Sequence, residues 1–290
     1  MLNYRYSVYI ALVLLLLSVG CKKKSNPPFP FSSTPTTALV NPPVKEASGI
    51  ADSKTNAGFL WVQEDGGNAT QLYLMNHTAL SAKKIFLKNT TNRDWEDIAL
   101  ANGPVAGKNY IYLAEIGDNN AVYSSAFFYR FEEPVQNTDT VFTIDKIEFV
   151  YSDGARDAEA FLIDPATKDI YILTKREAKS RVYKLPYPQS TTSINTAAFI
   201  TELPYNGVVS AAINAGGTEI IIKTYGNLYY YTKAGGTAID KGLQSNYIVL
   251  GYLPEPQGEA VCFANSNNGF FTLSEQLGTL PQQLYFYSRQ

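Results

Sequence analysis

Short apolar runs recur along the chain, and nearly every run is bounded by Gly, Asn, Asp or Pro. The runs are rich in Val, Ile, Tyr and Phe, which favour the pleated, half-buried backbone of a strand. Two runs follow the same charged motif, Arg-Asp-x-Glu, in NRDWEDIAL (residues 92–100) and ARDAEAFLI (residues 155–163). The pattern predicts an all-β fold that is built from a repeated unit.

Related segments occur five times, and we number the units of the chain after them. The segments are EASGIAD, DWEDIAL, DAEAFLI, VSAAINA and QGEAVCF, and their third residues are Ser48, Glu96, Glu159, Ala211 and Glu259. These residues are separated by 48, 63, 52 and 48 positions. In each unit a second and a third apolar run follow after turns. Repeats of roughly fifty residues with about four strands each are typical of β-propellers, in which neighbouring sheets cover each other.

The two ends of the chain indicate how such a ring closes. Unit five reaches Gln290 without a fourth strand, whereas TALVNP (residues 37–42) precedes unit one and belongs to no unit. AKKIFLK, KIEFVYS and YIVLGYL supply fourth strands to units one, two and four. The sequence therefore predicts a single domain, residues 36–290, that is a five-bladed β-propeller closed by its amino-terminal strand. A six-bladed propeller is the alternative, because the long spacing of unit two leaves room for further strands.

The amino-terminal residues predict export and lipid attachment. Arg5 precedes the apolar run IALVLLLLSVG (residues 10–20), which is too short to span a bilayer. Cys21 follows small residues directly, as in a bacterial lipobox, although Ser18 stands where Leu is usual. We expect a lipoprotein signal peptide (residues 1–20), a lipidated Cys21 and a flexible tether (residues 21–35). The protein would then be anchored in the cell envelope, on the periplasmic or external face of the outer membrane; an ordinary secretory signal is the alternative.

Composition narrows the chemistry. The chain has 24 basic and 26 acidic residues and a net charge of −2, so nucleic acid is not an expected partner. It has one histidine, His77, and its second cysteine, Cys262, falls in a predicted core strand. These numbers disfavour a Ser-His-Asp triad, a zinc site of ordinary composition and a disulfide framework.

Charged residues are predicted to gather at one end of the ring axis. In an antiparallel sheet the first strand begins where the second strand ends, so residues at both places converge. Glu96, Glu159 and Glu259 are the candidate catalytic and metal-binding residues, and Asp118 is a further candidate metal ligand. The candidate ligand-binding residues are Arg93, Asp94, Arg156 and Asp157 before first strands, and Glu64, Glu115, Lys175, Lys223 and Glu275 at the ends of second strands.

Crowded carboxylates need a counter-charge, because like charges close together raise each other's pKa. Nearby Lys and Arg residues, shared protons or a bound Ca²⁺, which prefers oxygen ligands, would each supply it. The alternative interpretation is that Arg-Asp-x-Glu is structural and ties neighbouring units together by ion pairs. Ser48 and Ala211 replace the acid in two units, so closing the ring does not require glutamate in every unit.

The succession DWEDIA, YLAEIGDN, YRFEEP and DAEAFLIDPATKDIYILTK, within residues 94–175, resembles a group of secreted bacterial propeller proteins that are mostly uncharacterised. More loosely, the repeated Glu-Ala first strands are similar to esterase-like phytase propellers and to the gluconolactonase and strictosidine-synthase group. The closer resemblance implies an envelope propeller without an assigned activity. The looser one implies a Ca²⁺-assisted hydrolase in which Glu96, Glu159 and Glu259 fill the acidic positions.

Three functions are therefore compatible with the sequence. The leading hypothesis is a monomeric, envelope-anchored propeller that binds a small polar ligand, a glycan or an envelope protein at its charged pole. The alternative is a Ca²⁺-dependent hydrolase of the esterase, lactonase or phosphoesterase type, with a glutamate as general base. A purely structural role in an envelope complex is the third.

Overall fold

The computed structural model describes residues 30–290. Within this range the protein is all-β, as predicted, with 21 strands and one short helix, α1 (Ile239–Leu243). No helix among residues 30–290 has the length and apolar character needed to cross a membrane. The predicted signal peptide, Cys21 and most of the predicted tether lie outside the described residues.

The strands follow the five sequence units. β1 (Thr36–Leu39) comes first, and unit one contains β2 (Ala47–Asp52), β3 (Phe59–Glu64), β4 (Gln71–Asn76) and β5 (Ala82–Leu87). Unit two contains β6 (Trp95–Asn102), β7 (Asn109–Glu115), β8 (Ala126–Glu132), β9 (Thr140–Val141) and β10 (Asp145–Tyr151). Unit three contains β11 (Ala158–Ile163), β12 (Ile170–Thr174), β13 (Arg181–Leu185) and β14 (Asn195–Glu202). Unit four contains β15 (Val208–Ile213), β16 (Glu219–Thr224), β17 (Leu228–Thr232) and β18 (Tyr247–Leu250), and unit five contains β19 (Gly258–Phe263), β20 (Gly269–Ser274) and β21 (Gln283–Ser288).

The first strands of the units form a ring. β2, β6, β11, β15 and β19 each lie against the next first strand along the chain, and β19 lies against β2. Every residue of β2, β11 and β19 is buried. Burial of both faces explains why these strands are apolar on consecutive residues and do not alternate. The sheets therefore radiate from a common axis, which is the arrangement of a β-propeller.

The hydrophobic core lies between neighbouring sheets. Between units two and three, the ring centroid of Phe128 on β8 lies 5.0 Å from that of Phe161 on β11, and within unit two it lies 5.5 Å from that of Phe149 on β10. Aromatic side chains of this size bury large apolar areas and hold the two sheets face to face. Cys262 on β19 is buried and unpaired, as the sequence predicts.

Both ends of the described chain meet in one sheet. β1 pairs antiparallel with β21, with Ala38 opposite Leu284, so the amino-terminal strand supplies the fourth strand that unit five lacks. Phe31 extends this contact, since it forms a bridge with Arg289 and its side chain is only 3% exposed. The predicted tether is thus corrected at its carboxyl-terminal end, because residues from Phe31 onwards belong to the folded domain.

Outer strands link neighbouring units. β10 lies parallel to β14 and joins units two and three into one eight-stranded sheet. The extra length of unit two contains β9, which pairs parallel with β5 and so extends the sheet of unit one. The sequence did not predict β14, because its residues NTAAFITE are mostly not buried and lack a continuous apolar run.

Candidate functional site at one end of the propeller axis

Each first strand contains a β-bulge at its second residue. The residues without a partner on the second strand are Ser48, Glu96, Glu159, Val209 and Glu259. A bulge turns a side chain out of the regular ladder, here at the same end of every first strand. The bulge also corrects the predicted alignment of unit four, since the equivalent residue is Val209. Ala211 lies two residues later and pairs regularly with Ile222.

Seven carboxylate side chains meet at this end of the axis, and we call them the acidic pole. They form three groups whose ligand atoms lie within 4.8 Å of one another: Asp65, Glu259 and Glu275; Asp65, Asp94 and Glu96; and Glu96, Asp157 and Glu159. Asp65 and Glu96 each belong to two groups, so the seven side chains are continuous. The structure therefore brings together Glu96, Glu159 and Glu259 from three units, as the sequence predicts.

Asp65 is a member of the acidic pole that the sequence reasoning missed. It directly follows β3, as Lys175 directly follows β12 and Glu275 directly follows β20. The three residues therefore occupy equivalent positions, one residue beyond the second strand. This equivalence becomes visible only when the units are aligned on the β-bulges of their first strands. Read alone, the sequence EDGG around Asp65 indicates only a turn.

Lys175 and Tyr225 connect two of the glutamates. The Nζ atom of Lys175 donates a hydrogen bond to Glu159 and lies 3.4 Å from the hydroxyl oxygen of Tyr225. The Tyr225 hydroxyl in turn donates to Oε1 of Glu259 at 2.5 Å. Lys175 was predicted at this site, whereas Tyr225, on the turn after β16, was not.

Positive charge at the acidic pole is scarce. Among residues 30–290, the basic side chains that form salt bridges with its members are Lys175, with Glu159, and Arg176, with Asp157. Two positive charges against seven carboxylates leave an excess of negative charge when all the acids are ionised. Crowded acids in this position either retain protons or bind a further cation.

Glu96 lies at the centre of the acidic pole and is only 5% exposed. Its backbone oxygen accepts a hydrogen bond from the Ser48 hydroxyl at 2.5 Å, but no residue of the described chain donates to its carboxylate. The backbone of Gly117 packs against this carboxylate and against Asp94, so that a Cβ atom at Gly117 would overlap both groups. Glu96 is therefore a buried carboxylate that lacks a protein partner.

Burial raises the pKa values of acids at the rim of the pole, and neighbouring acids raise them further. The pKa of Asp94 rises to about 6, first through burial and then through the charges of Asp65 and Asp157. The pKa of Glu275 rises to about 7 through burial and the charge of Glu259. These side chains thus change protonation near neutral pH.

The central glutamates show the same effect more strongly. The pKa of Glu159 rises to about 8, because burial outweighs the lowering influence of Lys175. Burial, together with the charge of Glu159, raises the pKa of Glu96 well above its usual value. A cation that enters the acidic pole must consequently displace protons.

Three predicted ligand-binding residues at the ends of second strands serve the fold instead. Glu64 accepts a hydrogen bond from the Tyr73 hydroxyl at 2.8 Å, and Glu115 accepts from the backbone N–H groups of Arg93 and Asp94. Lys223 forms a fully buried ion pair with Glu255, with Nζ 2.9 Å from Oε2. Asp65, Lys175 and Glu275, one residue beyond their strands, reach the acidic pole, whereas Glu64, Glu115 and Lys223, within their strands, bond to neighbouring parts of the fold.

Two predicted arginines and Asp118 also lie outside the acidic pole. The guanidinium of Arg93 stacks on the ring of Tyr123, 3.7 Å from its centroid. Arg156 donates to the Tyr183 hydroxyl and to Asp153, both at 3.1 Å. The two carboxylate oxygens of Asp118 accept the backbone N–H groups of residues 122 and 123. Asp118 therefore holds its own turn together and does not belong to the three acidic groups of the pole.

Asp97 closes the axis beneath the acidic pole. It is fully buried, and its Oδ2 accepts hydrogen bonds from Ser210 Oγ at 3.2 Å and from Ala211 N at 3.4 Å. The Ser210 hydroxyl also accepts the N–H group of Val261, and Gly49 packs against the backbone of Asp97. Residues of β2, β6, β15 and β19 thus meet across the axis. Asp97 and its partners therefore lie across the axis below the acidic pole, an arrangement that the sequence analysis did not predict.

The other end of the axis has different chemistry. A cavity there is lined by the far halves of all five first strands, with mainly Ala, Ile and Phe side chains. Asp52, at the rim of this cavity, already has hydrogen-bond partners within the protein. It accepts a hydrogen bond from the N–H group of Asn265 and lies 2.8 Å from Nε2 of His77. The single histidine is therefore at the end opposite the acidic pole.

No protein-family model and no curated protein matches the sequence. Among solved structures, a Dos1 propeller is 12% identical, with a TM-score of 0.39 over 86% of this chain and 69% of that chain. A nidogen–laminin complex is 9% identical, with a TM-score of 0.47 over 79% and 72% of the two chains. The WD40 repeats of RRP9 are 9% identical, with a TM-score of 0.43 over 84% and 80%. At these levels the similarities say nothing about function, and the propeller fold stands on the strand arrangement described above.

Proposed function

We propose that this chain is a five-bladed β-propeller that binds a divalent cation, Ca²⁺, at its acidic pole and presents the bound ion to a small polar ligand. The blade count rests on the five first strands in the ring, each followed by its own antiparallel strands, although β10 and β14 join the outer edges of units two and three. The observation that carries the binding site is Glu96, which is only 5% exposed, whose carboxylate has no hydrogen-bond donor among residues 30–290 and which belongs to a group of seven acids.

The donor atoms favour Ca²⁺ over transition metals. The acidic pole offers carboxylate oxygens and the Tyr225 hydroxyl, and no histidine or cysteine belongs to its three groups. Hard oxygen ligands are typical of Ca²⁺ and Mg²⁺, and Ca²⁺ tolerates the higher and less regular coordination that seven crowded carboxylates impose. Lys175 and Arg176 already pair with Glu159 and Asp157, so Asp65, Asp94, Glu96 and Glu259 are the proposed principal ligands.

Calorimetric titration of Ca²⁺ at pH 8 tests this proposal. Glu96→Gln keeps the size of the side chain but removes its charge, and we expect at least a tenfold loss of Ca²⁺ affinity, about 1.4 kcal/mol. Glu132→Gln is the matched control, because Glu132 is exposed and pairs with Lys108 on the surface. Equal affinity of the wild type and Glu96→Gln would contradict the proposed site.

A Ca²⁺-dependent hydrolase is the second candidate, and the environment of Glu159 favours it. A carboxyl whose pKa is about 8, beside Lys175 and next to a bound cation, is suited to proton transfer near neutral pH. An assay of ester, lactone and phosphoester substrates with saturating Ca²⁺ separates the two functions. Turnover that Glu159→Gln abolishes would support the hydrolase, whereas absence of turnover would leave the binding function.

We also propose that Cys21 carries a lipid that anchors the propeller to the cell envelope. The described chain enters the propeller at the end opposite the acidic pole, where Gln290 N–H bonds to the Pro30 oxygen. An anchor eight residues before Phe29 would therefore leave the acidic pole facing away from the membrane. Detergent-phase partitioning of the wild type but not of Cys21→Ser is the expected result.

A further inference from the structure

The two arginines of the repeated Arg-Asp-x-Glu motif line one cavity beside the acidic pole. Arg93, before β6, and Arg156, before β11, approach this cavity from units two and three. The Asp and Glu residues of the same motifs point to the axis. The cavity is small, with a volume of about 80 Å³, and is open to solvent, so it has room for one polar group of a small molecule and not for the whole molecule.

Hydrogen-bond donors in this cavity lack acceptors. Tyr151 lines the cavity and is 8% exposed, and its buried hydroxyl has no partner among the described residues. The buried Nε atom of Arg93 likewise has no hydrogen-bond acceptor, since Oε1 of Glu115, with which it forms an ion pair, lies 3.6 Å away, and its two Nη atoms reach only the Ser125 oxygen at 3.5 Å. Buried donors are normally satisfied, so these unpaired groups point to a ligand that supplies oxygen acceptors.

Acids near the cavity are already satisfied by other groups. Asp118 accepts two backbone N–H groups, and Asp157 accepts the N–H group of Asp118 and pairs with Arg176. Asp153 is bonded by Arg156, Arg181 and Tyr183. None of these carboxylates supplies an acceptor to Arg93 or to the Tyr151 hydroxyl.

We propose that this cavity binds the carboxylate group of a small organic ligand. The planar guanidinium of Arg93 matches a carboxylate in two-pronged fashion, and the Tyr151 hydroxyl supplies a further donor. Tyr123, which is 39% exposed and stacks on Arg93, offers a surface for the ring of a sugar or another cyclic ligand. Gly117 lies between the cavity and the carboxylates of Glu96 and Asp94, and no member of the acidic pole lines the cavity.

Ligand-observed NMR titration tests the proposal with three matched pairs of probes, in the presence of a chelator. The pairs are benzoate and benzamide, glucuronate and glucose, and a short peptide with a free or an amidated carboxyl terminus. We expect at least one carboxylate to bind at least tenfold more tightly than its neutral partner. The pair with the largest difference in affinity shows whether the cavity prefers the carboxylate of a sugar acid, of a peptide terminus or of an aromatic acid.

Two variants assign the binding to this cavity. Tyr151→Phe removes only the unpartnered hydroxyl and should weaken carboxylate binding about tenfold. Arg93→Lys keeps the positive charge near Glu115 but removes the planar fork, and a similar loss is expected; Lys108→Gln, on the exposed surface, is the control. Failure of every carboxylate to bind more tightly than its neutral partner, or binding that Tyr151→Phe leaves unchanged, would overturn this proposal without affecting the cation site.

Discussion

At the scale of single residues, the repeated motif divides its side chains between two places. The bulge turns Glu96 and Glu159 towards the axis, whereas Arg93 and Arg156 line the cavity between units two and three. Each arginine pairs with an acid close to it in the fold, Arg93 with Glu115 of its own unit and Arg156 with Asp153 three residues earlier, and neither pairs with an acid of the acidic pole. The acids instead crowd one another, and burial raises the pKa of Glu159 to about 8.

This crowding predicts that Ca²⁺ affinity depends on pH. The pKa values of Asp94, Glu275 and Glu159 are about 6, 7 and 8, so these acids hold protons at pH 5 and release them as the pH rises to 8. Because Ca²⁺ binds the ionised form, its affinity should increase across this range. Calorimetry at pH 7 in buffers of different ionisation enthalpy should detect proton release. A pH-independent affinity without proton release would be inconsistent with binding at the acidic pole.

At the scale of strands, the amino-terminal segment has the most specific structural role. β1 completes the sheet of unit five, and Phe31 precedes it as part of the core. The Phe31 ring lies 5.0 Å from the ring of Phe270 and 5.6 Å from that of Tyr230, with edge-to-face geometry. These contacts hold the amino-terminal segment against unit five, where the ring of sheets is closed.

Truncation of this side chain is therefore expected to be costly. Phe31→Ala should lower the free energy of unfolding by about 3–5 kcal/mol, the usual cost of deleting a buried aromatic ring. Phe142→Ala is the matched control, since Phe142 is 71% exposed, and it should change stability by no more than about 0.5 kcal/mol. Urea unfolding followed by fluorescence measures both. Similar losses in the two variants would show that Phe31 does not help to close the propeller.

The strand pattern could be predicted from the sequence wherever a strand is buried on both faces. The first strands were found because consecutive apolar residues mark them, and the pairing of β1 with β21 was found because unit five lacks a fourth strand and residues 37–42 belong to no unit. Unit four was misaligned by two residues, because Val209 carries no charge that would reveal the bulge. Asp65, Arg176 and Tyr225 were missed, since turn residues follow no periodicity and their positions depend on the ring.

At the scale of the whole molecule, the propeller separates two chemical environments along one axis. Asp97 and Ser210 are hydrogen-bonded to each other across the axis, between the acidic pole and the apolar cavity at the opposite end. The described chain enters at the apolar end, so the acidic pole is the face most distant from the proposed anchor. The ring is what brings acids from units one, two, three and five together at one end of the axis.

A crystal structure of the protein grown with Ca²⁺ tests this account most directly. We predict an ion on the axis, about 2.3–2.6 Å from carboxylate oxygens of Glu96 and at least two further members of the acidic pole. Its anomalous signal should be lost in Glu96→Gln. A structure from the same conditions without an ion at this place, in which the carboxylates are balanced only by protons, Lys175 and Arg176, would contradict the central claim.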